Sequence, residues 1–263
     1  MVKQFIFTIL FSFIATSVFA DNWLEKDLAS LPKDTKIEIV KMYNDIHQKA
    51  AKLRVNIVET SNDLAKAIEN KVNSAKQELI VDKLTNQIVD LSNDMRIAYT
   101  DLSKKAGSLS QKFEKEKAGD DDADDFYNKF FTSDGVEDIY DLLDDSGLPT
   151  PTKKEIMEKY GNKIKMVQNN FRNAYNKYRG FWLAGITTGK DFENAKKSFA
   201  ESVKAMINLS VEVYNNEIAK LNNNQIKQLS TERQKVTNNQ INKINDKANQ
   251  VKLKTQRRLD TLE

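Results

Sequence analysis

The sequence predicts an all-α protein, an elongated bundle of long antiparallel amphipathic helices that is partly coiled-coil-like. Three observations carry this expectation. Apolar residues recur at steps of three and four over most of the chain. Only 8 Gly and 3 Pro interrupt 263 residues, so the chain has few places to reverse and its helices must run long. The mean hydropathy is −0.61, which calls for an extensive polar surface rich in Lys and Asn.

The elements follow in order. Residues 1–20 read as a secretory signal peptide: Lys3 precedes an apolar run from Phe5 to Ile14, and small residues lead into a Val18-Phe19-Ala20 cleavage pattern. The run is short for a membrane span of roughly 20 residues. Removal is the favoured reading and a retained anchor is the alternative. No later segment has the unbroken apolar length to cross a bilayer, so the mature chain is expected to be secreted, or periplasmic in a bacterium.

A first helix should begin near Pro32, with its stripe at Ile37, Val40, Tyr43, Ile46, Ala50, Leu53 and Ile57. Thr60-Ser61-Asn62-Asp63 reads as a capping cluster that opens a second stripe, Leu64, Ile68, Val72, Ala75 and Leu79. After a phase slip come Leu84, Ile88, Leu91, Met95, Ala98 and Leu102. The span from residue 64 to 113 is therefore one very long helix or two in series. Gly119 closes this part, and an acidic stretch follows with short amphipathic turns.

Beyond the break at Ser146 to Pro151, the residues Tyr160, Ile164, Val167, Phe171, Tyr175, Tyr178 and Trp182 make an aromatic helical face. The chain should turn among Gly180, Gly185 and Gly189. A further helix carries Phe192, Ala195, Phe199, Val203, Met206, Leu209 and Val213, and Asn222-Asn223-Asn224 marks a bend. Last comes a thin seam of Ile241, Ile244, Ala248, Val251, Thr255, Leu259 and Leu262, narrow enough to suit one partner helix. The expected organisation is a signal peptide (1–20), an N-terminal helical region (21–118), an acidic connector with short helices (119–151) and a C-terminal helical region (152–263).

Charge is partitioned along the chain. Residues 21–118 hold 17 basic and 16 acidic side chains, 119–150 hold one and 11, and 151–263 hold 22 and 11. The acidic connector and the basic second half should attract each other. Five aspartates fall within Asp120 to Asp125, but a calcium-binding EF-hand loop begun at Asp120 would place Asp125 where Gly is required and Phe131 where a bidentate Glu belongs. A solvated acidic loop is the better reading, and no metal site is expected.

Other chemistry is scarce. The cysteine count is zero, which excludes disulfides, thiolate metal sites and cysteine nucleophiles. The lone histidine, His47, has no triad partners beside it, and no HExxH, GxSxG, GxGxxG or P-loop spacing occurs. Neither enzyme activity nor a cofactor is expected. Lys252, Lys254, Arg257 and Arg258 form a basic patch; export argues against nucleic acid, anionic lipid headgroups fit an exported protein better, and a solvated charged face is the plainer reading. Asn208-Leu209-Ser210 is the only N-glycosylation sequon.

Export, absence of cysteine, Lys-rich helices and the stretch from Leu31 to Tyr43, LPKDTKIEIVKMY, together resemble the secreted fatty-acid and retinol-binding proteins of nematodes. The resemblance covers at most the first hundred residues after the signal, and the second half has no counterpart in that family. It implies an all-helical carrier with a fatty ligand among apolar side chains, and it transfers no binding residue position by position.

Three functions are thus expected, in this order. The first is a non-enzymatic protein that binds apolar ligands, fatty acids or retinoids, or lipid surfaces through Phe171, Tyr175, Tyr178, Phe181 and Trp182. The second is a helical interaction or effector protein whose C-terminal helix docks a protein partner or a second copy. The third is a pore former that inserts Phe181 to Ile186.

Overall fold

The computed structural model describes Leu28 and residues 31–106 and 153–262. The signal-peptide reading, the acidic connector and the break at Ser146 to Pro151 lie outside the described residues. Those described form an all-α structure of five helices, with no strand among them: α1 Lys33–Glu69, α2 Ser74–Ala106, α3 Lys153–Leu183, α4 Lys190–Ile218 and α5 Asn223–Leu262. The longest, α5, has 40 residues and so runs about 60 Å.

Each connection is made by local chemistry. Pro32 precedes α1 with φ −56° and ψ 148°, and its carbonyl accepts from the Lys36 amide. Helix α1 then runs straight through Thr60 to Asp63, contrary to the expected cap there. The reason is tertiary: Thr60, Ser61 and Asn62 are buried, and the Ser61 hydroxyl donates back to the Ile57 carbonyl inside the helix.

The break falls instead at residues 70–73. The Val72 amide reaches the Ala67 carbonyl and the Lys71 amide the Ile68 carbonyl, a Schellman closure with Lys71 in the left-handed region at φ 54°. Asn73 then caps α2, its side-chain oxygen accepting from the Lys76 amide at 3.0 Å. The span 64–106 is therefore two helices, and 107–113 lies outside the described residues. The phase slip before Leu84 follows from the new start of α2. Leu79 is 69 % exposed, and the buried stripe begins at Val81.

Helix α3 passes through Gly180 and closes by the same geometry at Gly185, φ 72°, with the Ile186 amide on the Phe181 carbonyl and the Gly185 amide on that of Trp182. A positive φ there favours glycine. Between α4 and α5, Asn222 and Gln225 cap each other: the Asn222 side-chain oxygen accepts from the Asn224 and Gln225 amides, and the Gln225 side chain accepts from the Asn222 amide.

The packing order is α3, α4, α2, α1, α5, with α1 also meeting α4. Successive helices in that order run antiparallel. Along α4 and α3, Asn216 bonds Tyr160 while Phe199 meets Tyr175; along α1 and α5, Asn62 meets Arg233 while Asn44 meets Thr255. One continuous apolar cluster threads all five helices, from Leu28 and Ile39 through Ile88, Phe171 and Phe199 to Ala248. The thin C-terminal seam has its partner helix within the chain: Ile244, Ala248 and Thr255 are buried, and the Gln48 amide of α1 donates to the Ala248 carbonyl at 2.8 Å.

Candidate functional site

The five residues expected to touch a ligand all lie in the last turns of α3, and four of them are buried. Phe171, Tyr175, Tyr178 and Trp182 repeat at helical spacing, so one face of α3 presents them together, and Phe181 lies half-buried beside them. The structure brings them onto two residues of α4 that also repeat at helical spacing, Phe192 and Phe199. Phe199 is the hub, with ring centroids 5.9 Å from Phe171, 6.0 Å from Tyr175 and 5.2 Å from Tyr178, the last pair nearly parallel. Phe192 meets Tyr178 at 5.7 Å and the edges of Phe181 and Trp182 at 6.3 and 6.2 Å. Such offset and edge contacts suit the ring quadrupoles.

Sequence reasoning missed the residue at the centre of this cluster. Arg96 of α2 is buried, and its guanidinium carbon lies 5.8, 5.5 and 5.8 Å from the ring centres of Tyr175, Tyr178 and Trp182. Its Nη2 also donates to the Tyr175 hydroxyl at 3.3 Å. The signal was faint because Arg96 follows Met95 on the stripe of α2 and reads as an edge residue, whereas its role needs three rings from another helix. Cation and π-face attract more strongly once water is excluded. Burial raises the Tyr178 hydroxyl above its ordinary pKa, with the Trp182 indole and the Arg96 charge offsetting part of that shift. The same hydroxyl donates to Asn93.

The turn after Trp182 is exposed from Ala184 to Gly189, with Ile186 at 46 %. Phe181 and Trp182 themselves belong to α3, so the apolar segment from Phe181 to Ile186 is half helix and half turn. Asn208 of the sequon sits inside α4, and Ser210 is buried, donating to the Met206 carbonyl. His47 lies against Tyr43, ring centroids 4.3 Å apart, on the side of α1 that faces α5.

A second constellation, polar and likewise unread in the sequence, closes the other end. Arg233 of α5 donates through Nε and Nη2 to the two carboxylate oxygens of Glu69, and through Nη1 to Asn62. The Tyr214 hydroxyl of α4 donates to the same carboxylate at 2.7 Å. Burial, with the Glu69 charge beside it, pushes the Tyr214 hydroxyl well above its ordinary pKa. Beside this knot the ends of α1 and α5 frame a groove of about 640 Å³.

Among the described residues, no cluster of three or more His, Cys, Asp or Glu side chains could hold a metal ion, and no helix is long and apolar enough to cross a membrane. Comparison of the chain with protein-family models, with curated proteins and with solved structures finds no match.

Proposed function

We propose that this chain is a non-enzymatic helical protein that binds apolar ligands with an acidic head, of the fatty-acid or retinoid kind, or the lipid surfaces that present them. The observation that carries this reading is the buried guanidinium of Arg96 set among the rings of Tyr175, Tyr178 and Trp182. Rings supply apolar contact area, and a guanidinium is the side chain best matched to a carboxylate. The rings now fill one another's space, so a ligand enters where α3 parts from α2. That seam is crossed by the Arg96 and Asn93 contacts to α3, whereas α3 and α4 pack ring against ring as one hairpin.

The test uses Trp182 fluorescence in a Trp23→Phe background. Titration with oleate or with oleate-containing vesicles should shift or quench the emission. Arg96→Met should weaken oleate binding at least tenfold while leaving oleyl alcohol nearly unchanged, with circular dichroism confirming that the variant stays helical. Unaltered emission with fatty acid and vesicles alike would rule the reading out.

A second reading, docking of a protein partner or a second copy through the C-terminal helix, draws on Leu253. It stands 60 % exposed on α5, two residues from Val251 and Thr255 of the seam and so on the face turned away from α1. Leu253→Lys should then lower the mass seen by light scattering at high protein concentration, and an unchanged mass would count against it.

A further inference from the structure

We propose that the groove between the end of α1 and the first turns of α5 is a binding site for a compact polyanion, a small hydroxyl-bearing molecule carrying several phosphate or sulfate esters. It is separate from the aromatic site. Along α4, Phe192 touches Trp182 and Tyr214 touches Glu69, and those 22 residues of helix span about 33 Å.

The groove holds about 640 Å³, room for a highly substituted sugar or cyclitol, and three lysines from two helices line it: Lys66, Lys227 and Lys235. Among the described residues that line it, Glu69 is the only carboxylate, and that charge is already spent on Arg233 and Tyr214 behind it. The floor is therefore a neutral, fully hydrogen-bonded pair, and the rim is cationic.

The lysines are also accessible to a better partner. Lys66 lies 3.7 Å from Asp63 and Lys235 2.9 Å from Glu232, both pairs within one helix and with the lysines 45 % and 63 % exposed. Exposed pairs of this kind contribute little, so several phosphate or sulfate charges arriving together displace them readily. Neutral donors complete the lining. The Ser230 hydroxyl accepts from Arg233 Nη2 at 2.9 Å and can still donate its own proton, and the side-chain amides of Gln234 and Asn238 line the same wall. Multiple cations with interleaved amide and hydroxyl donors match esters of phosphate or sulfate on a polyol frame better than they match an apolar molecule or a metal ion.

The test is isothermal titration at low salt with myo-inositol hexakisphosphate and sucrose octasulfate, with inorganic phosphate as the simple-anion arm and vesicles containing phosphatidylinositol 4-phosphate as the headgroup arm. The full chain is compared with Lys66→Gln/Lys227→Gln/Lys235→Gln and with a control, Lys177→Gln/Lys190→Gln/Lys197→Gln, that removes the same charge from α3 and α4. Arg233 is left intact because it holds Glu69. The expected result is saturable binding of at least one polyanion with one site per chain, weakened at least tenfold in the groove variant and less than threefold in the control, and falling steeply as salt is added. Binding to the vesicles alone would assign the site to lipid headgroups. Absence of binding to every probe, or equal losses in the two triple variants, would overturn the proposal. Both variants change exposed or half-exposed side chains, and matching circular dichroism and unfolding midpoints separate loss of the site from loss of the fold.

Discussion

Arg233 reaches across 164 residues of sequence to hold both carboxylate oxygens of Glu69, its Nε and Nη2 each 2.8 Å away, with the two side chains only 3 % and 4 % exposed. Burying two charges is costly, and their attraction offsets the cost only when the remaining donors and acceptors are satisfied. Here Asn62, Tyr214 and Ser230 satisfy them. The pair therefore sets which turn of α5 faces which turn of α1, a job that the uniform narrow seam of α5 does poorly.

Removing one partner should be far worse than removing both. Arg233→Ala or Glu69→Ala is expected to lower stability by about 3–5 kcal/mol, because each leaves a buried charge without its counterpart. The double variant Glu69→Leu/Arg233→Met should lie much closer to the parent. Urea unfolding followed by circular dichroism gives all three values, and single variants within ~1 kcal/mol of the parent would refute the account.

Tyr214 predicts an alkaline sensitivity. Its pKa in the folded state lies well above the ordinary 10.0, so the native chain keeps a proton that the unfolded chain releases. Stability is then fully present below about pH 10 and falls as pH rises from there through the folded value. Tyr214→Phe should be less stable at pH 7 by about 1–2 kcal/mol, for the lost bond to a charged acceptor, yet lose less between pH 9 and 11. Lys204, raised by Asp82 and Glu78 beside it, adds a slope of the same sign, so the comparison is between Tyr214→Phe and the parent at each pH.

Lys71 occupies a left-handed position at φ 54°. Glycine adopts that conformation without a Cβ clash, and Lys71→Gly is expected to stabilise the chain by about 0.5–1 kcal/mol. Lys71→Val should destabilise it by ~1 kcal/mol or more, since a β-branched residue tolerates positive φ worst. Thermal midpoints in the opposite order would show that the α1–α2 turn is not closed as described.

The aromatic hub gives a packing prediction. Phe199 touches Phe171, Tyr175 and Tyr178 at once, so Phe199→Ala should cost about 3–5 kcal/mol. Ile186→Ala, on the exposed turn at the same end, should change stability by less than about 0.5 kcal/mol. The pair separates a structural role for the cluster from a contact role for the turn: if the segment Phe181 to Ile186 inserts into lipid, Ile186→Ala weakens vesicle binding and leaves the unfolding curve in place.

Much of the fold was legible because amphipathic periodicity is a local property. The aromatic stripe of α3, the stripe of α4 and the thin seam of α5 all appear in the structure where their spacing put them, since side chains three and four apart share a face whatever lies opposite. The turn at Gly185 and the bend at Asn222 were legible for the same reason: a left-handed glycine and an asparagine cap act on their own neighbours.

The end of α1 was not. Thr60 to Asp63 has the composition of a cap, and Asn70 to Asn73 looks no stronger. What makes Asn62 an interior residue is the guanidinium of Arg233, 171 positions away, which donates to its side-chain oxygen. Arg96 was hidden likewise, because a cation at the margin of a stripe reads as surface until three rings from another helix close over it. The sequence by itself determined that this protein is helical, where most helices run and which faces are greasy, because those depend on contacts a turn apart. Only the tertiary structure decided which polar residues are buried and where the first helix stops, because a charge leaves water only when a distant segment arrives to satisfy it.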